Sequence, residues 1–340
     1  MLNMVYDKEV AMTEFGLRKP GSVLGFSNRN ADQSVLALIP ERNPHYVFQP
    51  QQLGILTIWW EAAPDEPLFI SGPHGSGKTS FVNQFCARVG APVVSLTARS
   101  RLDRTDLIGH YIIDKDKSMR FVDGPLTRAW RYGMVFLINE MSAAPADLWL
   151  SVNELLEGSP LFIEATGEVI KKHPRARIVM TDNIRGMTDD SSGLYLGRHL
   201  QDPAVMDRCW KLRMEYIDAS AEMKLIESQI PDIEVHGMTL QSWKKEFALR
   251  LRKAAAKVRE AYNGTPGVQP IEATISTRVL LRLKDLLIIS GSSGRLSVRE
   301  ALNWALRIAL TEAVDRTSAL TIEKIVEAEL GDICTHLAAP

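Results

Sequence analysis

With 340 residues, 45% hydrophobic and 24% charged, the chain can bury a full core and is long enough for two domains. A net charge of -1 gives no overall attraction to nucleic acid or to an anionic membrane surface. Cysteines only at 86, 209 and 334, scattered histidines and no apolar run of roughly 20 residues argue against a disulfide scaffold, a transition-metal centre and a membrane span. No secretory signal opens the chain, so a cytoplasmic location is expected.

Residues 1–33 are mixed and polar, broken by Gly21, Ser22, Ser27, Asn28 and Asn30, and read as a loosely ordered leader. Leu53, Ile55, Leu56, Ile58, Trp59 and Trp60 predict a buried helix over 50–60, with the two tryptophans in the core. Leu68-Phe-Ile predicts a short buried strand running straight into Gly72. A helix over 79–89 follows, carrying Phe81, Val82, Phe85 and Val89 on one face, and then a strand over 92–96. The uninterrupted apolar run 134–138 reads as a parallel strand buried on both faces. Pro145 opens another helix, with Leu148, Val152, Leu155 and Leu156 inward, and 178–180 is a further strand. Such alternation implies α/β architecture, a parallel sheet flanked by helices, over residues 34–218. Beyond 218 the strand signal stops. An amphipathic helix over 242–262, a loop over 264–270, a Ser297/Glu300 capping box and a helix over 321–330 make 219–340 a helical domain.

The sequence Gly72-Pro73-His74-Gly75-Ser76-Gly77-Lys78-Thr79 fits the Walker A pattern between a strand and a helix. Glycines let backbone amides turn inward, and the helix N-terminus adds positive potential for phosphate oxygens. Lys78 then reaches the β- and γ-phosphates of ATP, the Thr79 hydroxyl coordinates Mg2+, and Ser80 completes the cradle. The 134–138 strand ends in Asn139-Glu140, where Glu140 is the candidate base for the attacking water. Asn139 stands where an aspartate orients the Mg2+ hydration shell; its amide oxygen accepts a hydrogen bond but supplies no charge. Asn183 suits a sensor of the γ-phosphate or the water. Arg208 suits an arginine finger reaching a neighbouring subunit's γ-phosphate, with Arg198 and Arg185 as fallback candidates. Arg278, at the start of a helix in the second domain, suits a phosphate contact that couples nucleotide state to domain angle.

These residues resemble the MoxR branch of the AAA+ ATPases, and most closely the ATPase subunit of aerobic cobaltochelatases. Further matching stretches are 40–48 (PERNPHYVF), 104–109 (RTDLIG) and 193–197 (GLYLG), and the resemblance covers about 38–215. It implies an AAA+ P-loop core with a C-terminal helical lid, a ring, usually hexameric, and ATP bound between subunits. It also implies a β-hairpin insertion over 110–123 and a second hairpin in which 161–163 and 168–170 bracket Ala165-Thr-Gly. Relatives use ATP to remodel or metallate a target, often with a partner carrying a von Willebrand A domain. Two other readings stay open. The basic run Lys171, Lys172, His173, Arg175, Arg177 either is a solvated hairpin end or grips nucleic acid in a DNA- or RNA-dependent motor. With Asn139, the chain could instead be a nucleotide-binding structural subunit that hydrolyses weakly.

Overall fold

The computed structural model describes residues 3–17, 20–30, 32–183, 199–264, 271–293 and 295–337. The chain divides into two compact units, 1–215 and 216–340.

The N-terminal residues are not a loose leader. They form an antiparallel hairpin, β1 (Asn3–Ala11) and β2 (Ser22–Asn30). Val10, Phe15, Val23 and Phe26 are buried against the helix Lys78–Val89, and Phe15 stacks on Phe85 at 5.5 Å. The Arg88 Nε donates to the Glu14 carbonyl at 2.8 Å, and a Cβ on Gly25 would meet the Val89 carbonyl at 2.5 Å. The few apolar residues here are too thinly spaced to announce a strand, and long-range packing supplies what the local pattern lacks.

The remaining strands of the first unit are β3 (Leu68–Ser71), β4 (Val93–Thr97), β5 (Gly109–Ile113), β6 (Met119–Asp123), β7 (Val135–Asn139), β8 (Leu161–Ile163), β9 (Glu168–Ile170), β10 (Arg177–Asp182) and β11 (Trp210–Arg213). Five of them form one parallel sheet in the order β11-β3-β10-β7-β4. Its middle is dry: Leu68, Ile70, Leu137 and Met180 show no measurable exposure. Residues buried on both faces read as continuous apolar runs, which is why β3 and β7 were visible in the sequence. The edge strand β11 was not, because Trp210-Lys-Leu-Arg alternates and buries only Leu212 fully.

Helices Pro50–Ala62, Lys78–Val89 and Pro125–Tyr132 cover the sheet. Trp59 and Trp60 are core residues, 1% and 2% exposed. The helix expected from Pro145 is interrupted: Ala146–Leu150 ends at Ser151, whose hydroxyl donates to the Leu148 carbonyl, and Asn153–Leu156 restarts it. Both expected hairpins form, β5 with β6 and β8 with β9. The first is placed between the helices Arg104–Ile108 and Pro125–Tyr132.

The second unit is helical throughout its described residues. Helices Ala219–Ser228, Leu240–Asn263, Thr277–Ser292, Val298–Ala309 and Arg316–Cys334 enclose their own core around Trp243, Phe247, Leu283 and Val326. The Ser297/Glu300 capping box opens its helix as expected.

Candidate nucleotide-binding site

The loop after β3 owes its path to backbone freedom. Gly75 and Gly77 take φ of 72° and 89°, and Gly77 is the N-cap of the helix Lys78–Val89. A Cβ at Gly72 would lie 2.0 Å from the Met214 carbonyl, so the end of β11 presses directly on the loop. Ser76 is buried, and its Oγ has no partner among the described residues. An unsatisfied buried hydroxyl beside a helix N-terminus is suited to an anionic oxygen.

Two strands, β7 and β10, deliver the remaining polar groups to this loop. The Lys78 Nζ donates to the carbonyls of Gly72 and Pro73, at 2.8 and 2.9 Å, and to the Asn183 Oδ1 at 2.8 Å. The Asn183 Nδ2 in turn donates to both carboxylate oxygens of Glu140, at 3.0 and 2.8 Å. Asn139 Oδ1 accepts from the Thr79 hydroxyl at 2.7 Å and from the Thr181 hydroxyl at 3.4 Å. Register explains the meeting: β10 and β7 run parallel with Met180 opposite Ile138, so the polar ends of both strands fall level with the loop. Glu140 itself sits at φ 57°, ψ 47°, in the left-handed region.

The structure thus brings together Lys78, Thr79, Asn139, Glu140 and Asn183. His74 and Ser80 are exposed on and beside the loop. Arg208 caps the helix Pro203–Asp207, where its Nε pairs with Glu157 at 2.6 Å and its Nη1 donates to the Ala204 carbonyl. Arg278 is exposed in the first turn of Thr277–Ser292, within the second unit. Arg185, Arg198 and the stretch 193–197 lie outside the described residues. Thr181 was missed in the sequence. Its signal was the two-residue period of a strand, which puts it on the same face as Asn183.

The basic run after β9 is largely internal. The Lys172 Nζ pairs with Asp65 at 2.7 Å and lies over the Trp130 ring. Arg175 stacks on Tyr6, and its backbone N–H donates to the His173 Nδ1 at 3.1 Å. Arg177 is 2% exposed and donates to the carbonyls of Trp60, Pro174 and Ala176; burial lowers its pKa to about 10. Of the run's cations only Lys171 is exposed.

Residues 67–208 match the AAA domain of the dynein-related subfamily. Over 200 residues the chain is 30% identical to the aerobic cobaltochelatase subunit CobS of a Sinorhizobium species, across 57% of this chain and 59% of that protein. Over this core the chain is similar to MoxR-branch AAA+ ATPases. NorQ of Paracoccus denitrificans is 26% identical over 239 residues, covering 70% of this chain and 78% of that one. The denitrification regulatory protein NirQ of Pseudomonas aeruginosa is 30% identical over 161 residues, covering 47% and 58%. The chain therefore spans less than two thirds of the length of CobS and NirQ. The matched AAA segment runs from just before β3 to Arg208, so it contains the loop, Asn139, Glu140, Asn183 and Arg208, and excludes the N-terminal hairpin and the helical unit.

Proposed function

We propose that the protein is a ring-forming AAA+ ATPase, hexameric in its working state, that uses ATP binding and hydrolysis to remodel or load a partner protein complex. The ring and the remodelled partner rest on the resemblance, and the observation that carries the ATP-hydrolysis part of this reading is the unbroken contact chain from Lys78 through Asn183 to Glu140. It links the phosphate-binding amine to the candidate base through one side chain, as a hydrolase needs and a mere phosphate cradle does not.

The residues present fit ATP with Mg2+. Lys78, the loop amides and the orphaned Ser76 hydroxyl would hold the phosphates, and Thr79 with Asn139 would hold the hydrated metal. The metal, when bound, supplies positive charge to the β- and γ-phosphate oxygens. Glu140 aligns the attacking water and takes its proton, while Asn183 fixes the carboxylate's direction. Arg208 completes the site from a neighbouring subunit, and Arg278 reports nucleotide state to the helical unit.

Protein is the favoured target over nucleic acid. Of the cations that suggested a nucleic-acid motor, Lys172, Arg175 and Arg177 are tied into backbone, carboxylate and ring contacts. The two hairpins instead expose apolar residues: Ile113, Met119 and Val169 are each more than 60% exposed. Similarity to a cobaltochelatase subunit is compatible with metal loading, and a von Willebrand A domain partner is the expected companion. A second reading, slow hydrolysis by a largely structural subunit, is favoured by Asn139 alone.

The test is to size the protein with and without ATP and Mg2+ and to measure turnover for the natural chain, Asn139→Asp and Glu140→Gln. A nucleotide-dependent ring, with turnover lost on Glu140→Gln, supports the main reading. Turnover that survives Glu140→Gln removes Glu140 as base. A large gain on Asn139→Asp over a nearly inactive natural chain supports the slow subunit.

A further inference from the structure

Asp182 lies between Thr181 and Asn183 on β10, and strand alternation turns it away from the face that meets Asn139 and Glu140. It is 1% exposed. Its Oδ2 accepts the backbone N–H of Ser142 at 2.5 Å, two residues beyond the candidate base. The Ser142 carbonyl accepts from the His199 N–H at 2.7 Å, and the Glu140 carbonyl from the Ala143 N–H at 2.9 Å. The turn that follows Glu140 is therefore pinned at both the N–H and the carbonyl of one residue.

Glu140 needs such a hold. Among the described residues, only Lys117 and Glu140 adopt positive φ with a side chain present. Lys117 sits in an exposed hairpin turn, whereas Glu140 follows a buried strand at the site. A left-handed conformation is uphill for a residue with a Cβ and persists only where its surroundings impose it. Two adjacent residues of one strand impose it here from two directions. Asn183 grips the Glu140 carboxylate, and Asp182 grips the backbone just beyond it.

We propose that Asp182 is a positioning residue for hydrolysis: by holding the Ser142 amide it keeps Glu140 in the left-handed conformation that aims its carboxylate at the attacking water. This rests on the reading of Glu140 as the base. Because the contact from Asp182 goes to the backbone beyond the base, its effect is expected on turnover and not on ATP binding.

The experiment is a double-mutant cycle in the full chain, with ATP affinity, kcat and KM measured for Asp182→Ala, Asp182→Asn, Glu140→Gln and the combined variants. Asp182→Ala is expected to lower kcat at least about tenfold with ATP affinity and KM within about twofold. Asp182→Asn, whose amide oxygen still accepts the Ser142 N–H, is expected to recover most of that loss. In the Glu140→Gln background, Asp182→Ala should cost nothing further. If Asp182→Ala does not fold, Asp182→Ser carries the same expectation, since its side chain is too short to reach the amide. Natural kcat in the Ala or Ser variant overturns the proposal, as does an equal loss with and without the Glu140 carboxylate. Turnover that survives Glu140→Gln alone rejects the base assignment, and is read separately from the Asp182 variants.

Discussion

Replacing Asn183 with alanine tests the site most directly, because one side chain holds two charged residues. Its Oδ1 accepts from the Lys78 Nζ at 2.8 Å, and its Nδ2 faces the two Glu140 oxygens at 3.0 and 2.8 Å. Hydrogen bonds to charged partners are worth about 1.5–3 kcal/mol each. The site is only partly buried, which favours the lower end. The two contacts to Glu140 share one nitrogen and one carboxylate, and count for little more than a single bond. Two bonds at about 1.5 kcal/mol give roughly 3 kcal/mol, on the order of a hundredfold in rate if all of it orients the base in the transition state. Steady-state ATP hydrolysis should show that loss in kcat, with KM changed by less than about threefold, since Lys78 keeps its loop and phosphate partners. A variant that turns over within about threefold of the natural chain would falsify the coupling of Lys78 to Glu140 through Asn183. A loss confined to KM would make Asn183 a binding residue only.

Arg208→Ala should lower turnover at least about tenfold without lowering thermal stability, because the pair it leaves with Glu157 is exposed and worth about 0–1 kcal/mol. An equimolar mixture of Arg208→Ala and Lys78→Ala chains should regain turnover if each site is completed by its neighbour, and an inactive mixture speaks against the shared site. Arg177→Leu should destabilise the chain by about 2–4 kcal/mol in a melt, since the Trp60, Pro174 and Ala176 carbonyls lose their donor while a desolvated charge is removed; an unchanged melting point rejects its structural role. His173 should make the chain acid-sensitive. Burial, with Arg175 and Lys172 nearby, lowers its pKa, so its contribution is complete above about 6.5 and lost as pH falls through the lowered folded value. Protonating Nδ1 would also break its bond from the Arg175 N–H. Melts between pH 7.5 and pH 5 should therefore fall more steeply for the natural chain than for His173→Gln, and parallel curves would count against this.

The site was legible where chemistry is local. Gly72 to Thr79 announces itself because each glycine, the lysine and the hydroxyl serve one contiguous turn. Asn139-Glu140 were found because a fully apolar strand makes its first polar residue conspicuous, and Asn183 because it closes the polar end of the short apolar run 178–180. What stayed hidden depends on partners distant in the chain. The basic run from Lys171 looks solvated or ligand-binding in sequence, yet Asp65, Trp60 and Tyr6, more than a hundred residues upstream, absorb its charge. The same holds for the N-terminal hairpin, whose Phe15 and Phe26 have meaning only against Phe85 and Trp60. On the helix Leu240–Asn263 two cations are likewise tied to distant carboxylates: Arg259 makes a double hydrogen bond to Glu222, which is 1% exposed, and Lys244 pairs with Asp232.

If Glu140 is the base as proposed, the contact chain would let binding and turnover be separated. In the structure described, Lys78 is satisfied by two loop carbonyls and Asn183, so phosphate oxygens must replace acceptors already present. The exchange is favourable because the new acceptors carry full charge. Drawing Lys78 toward a phosphate loosens its hold on the Asn183 Oδ1, while the opposite end of that amide still holds Glu140. On the proposed reading, occupancy would thus be felt at the base through Asn183. Asn139, on that reading, would act on the other limb, where its neutral oxygen beside Thr79 would orient a metal-bound water but add nothing to the field on the metal. Asn139→Asp should therefore raise kcat and tighten Mg2+ while leaving metal-free nucleotide affinity nearly as it was. Measured by nucleotide titration with and without Mg2+, an equal change in both arms would place Asn139 in the phosphate cradle and not at the metal.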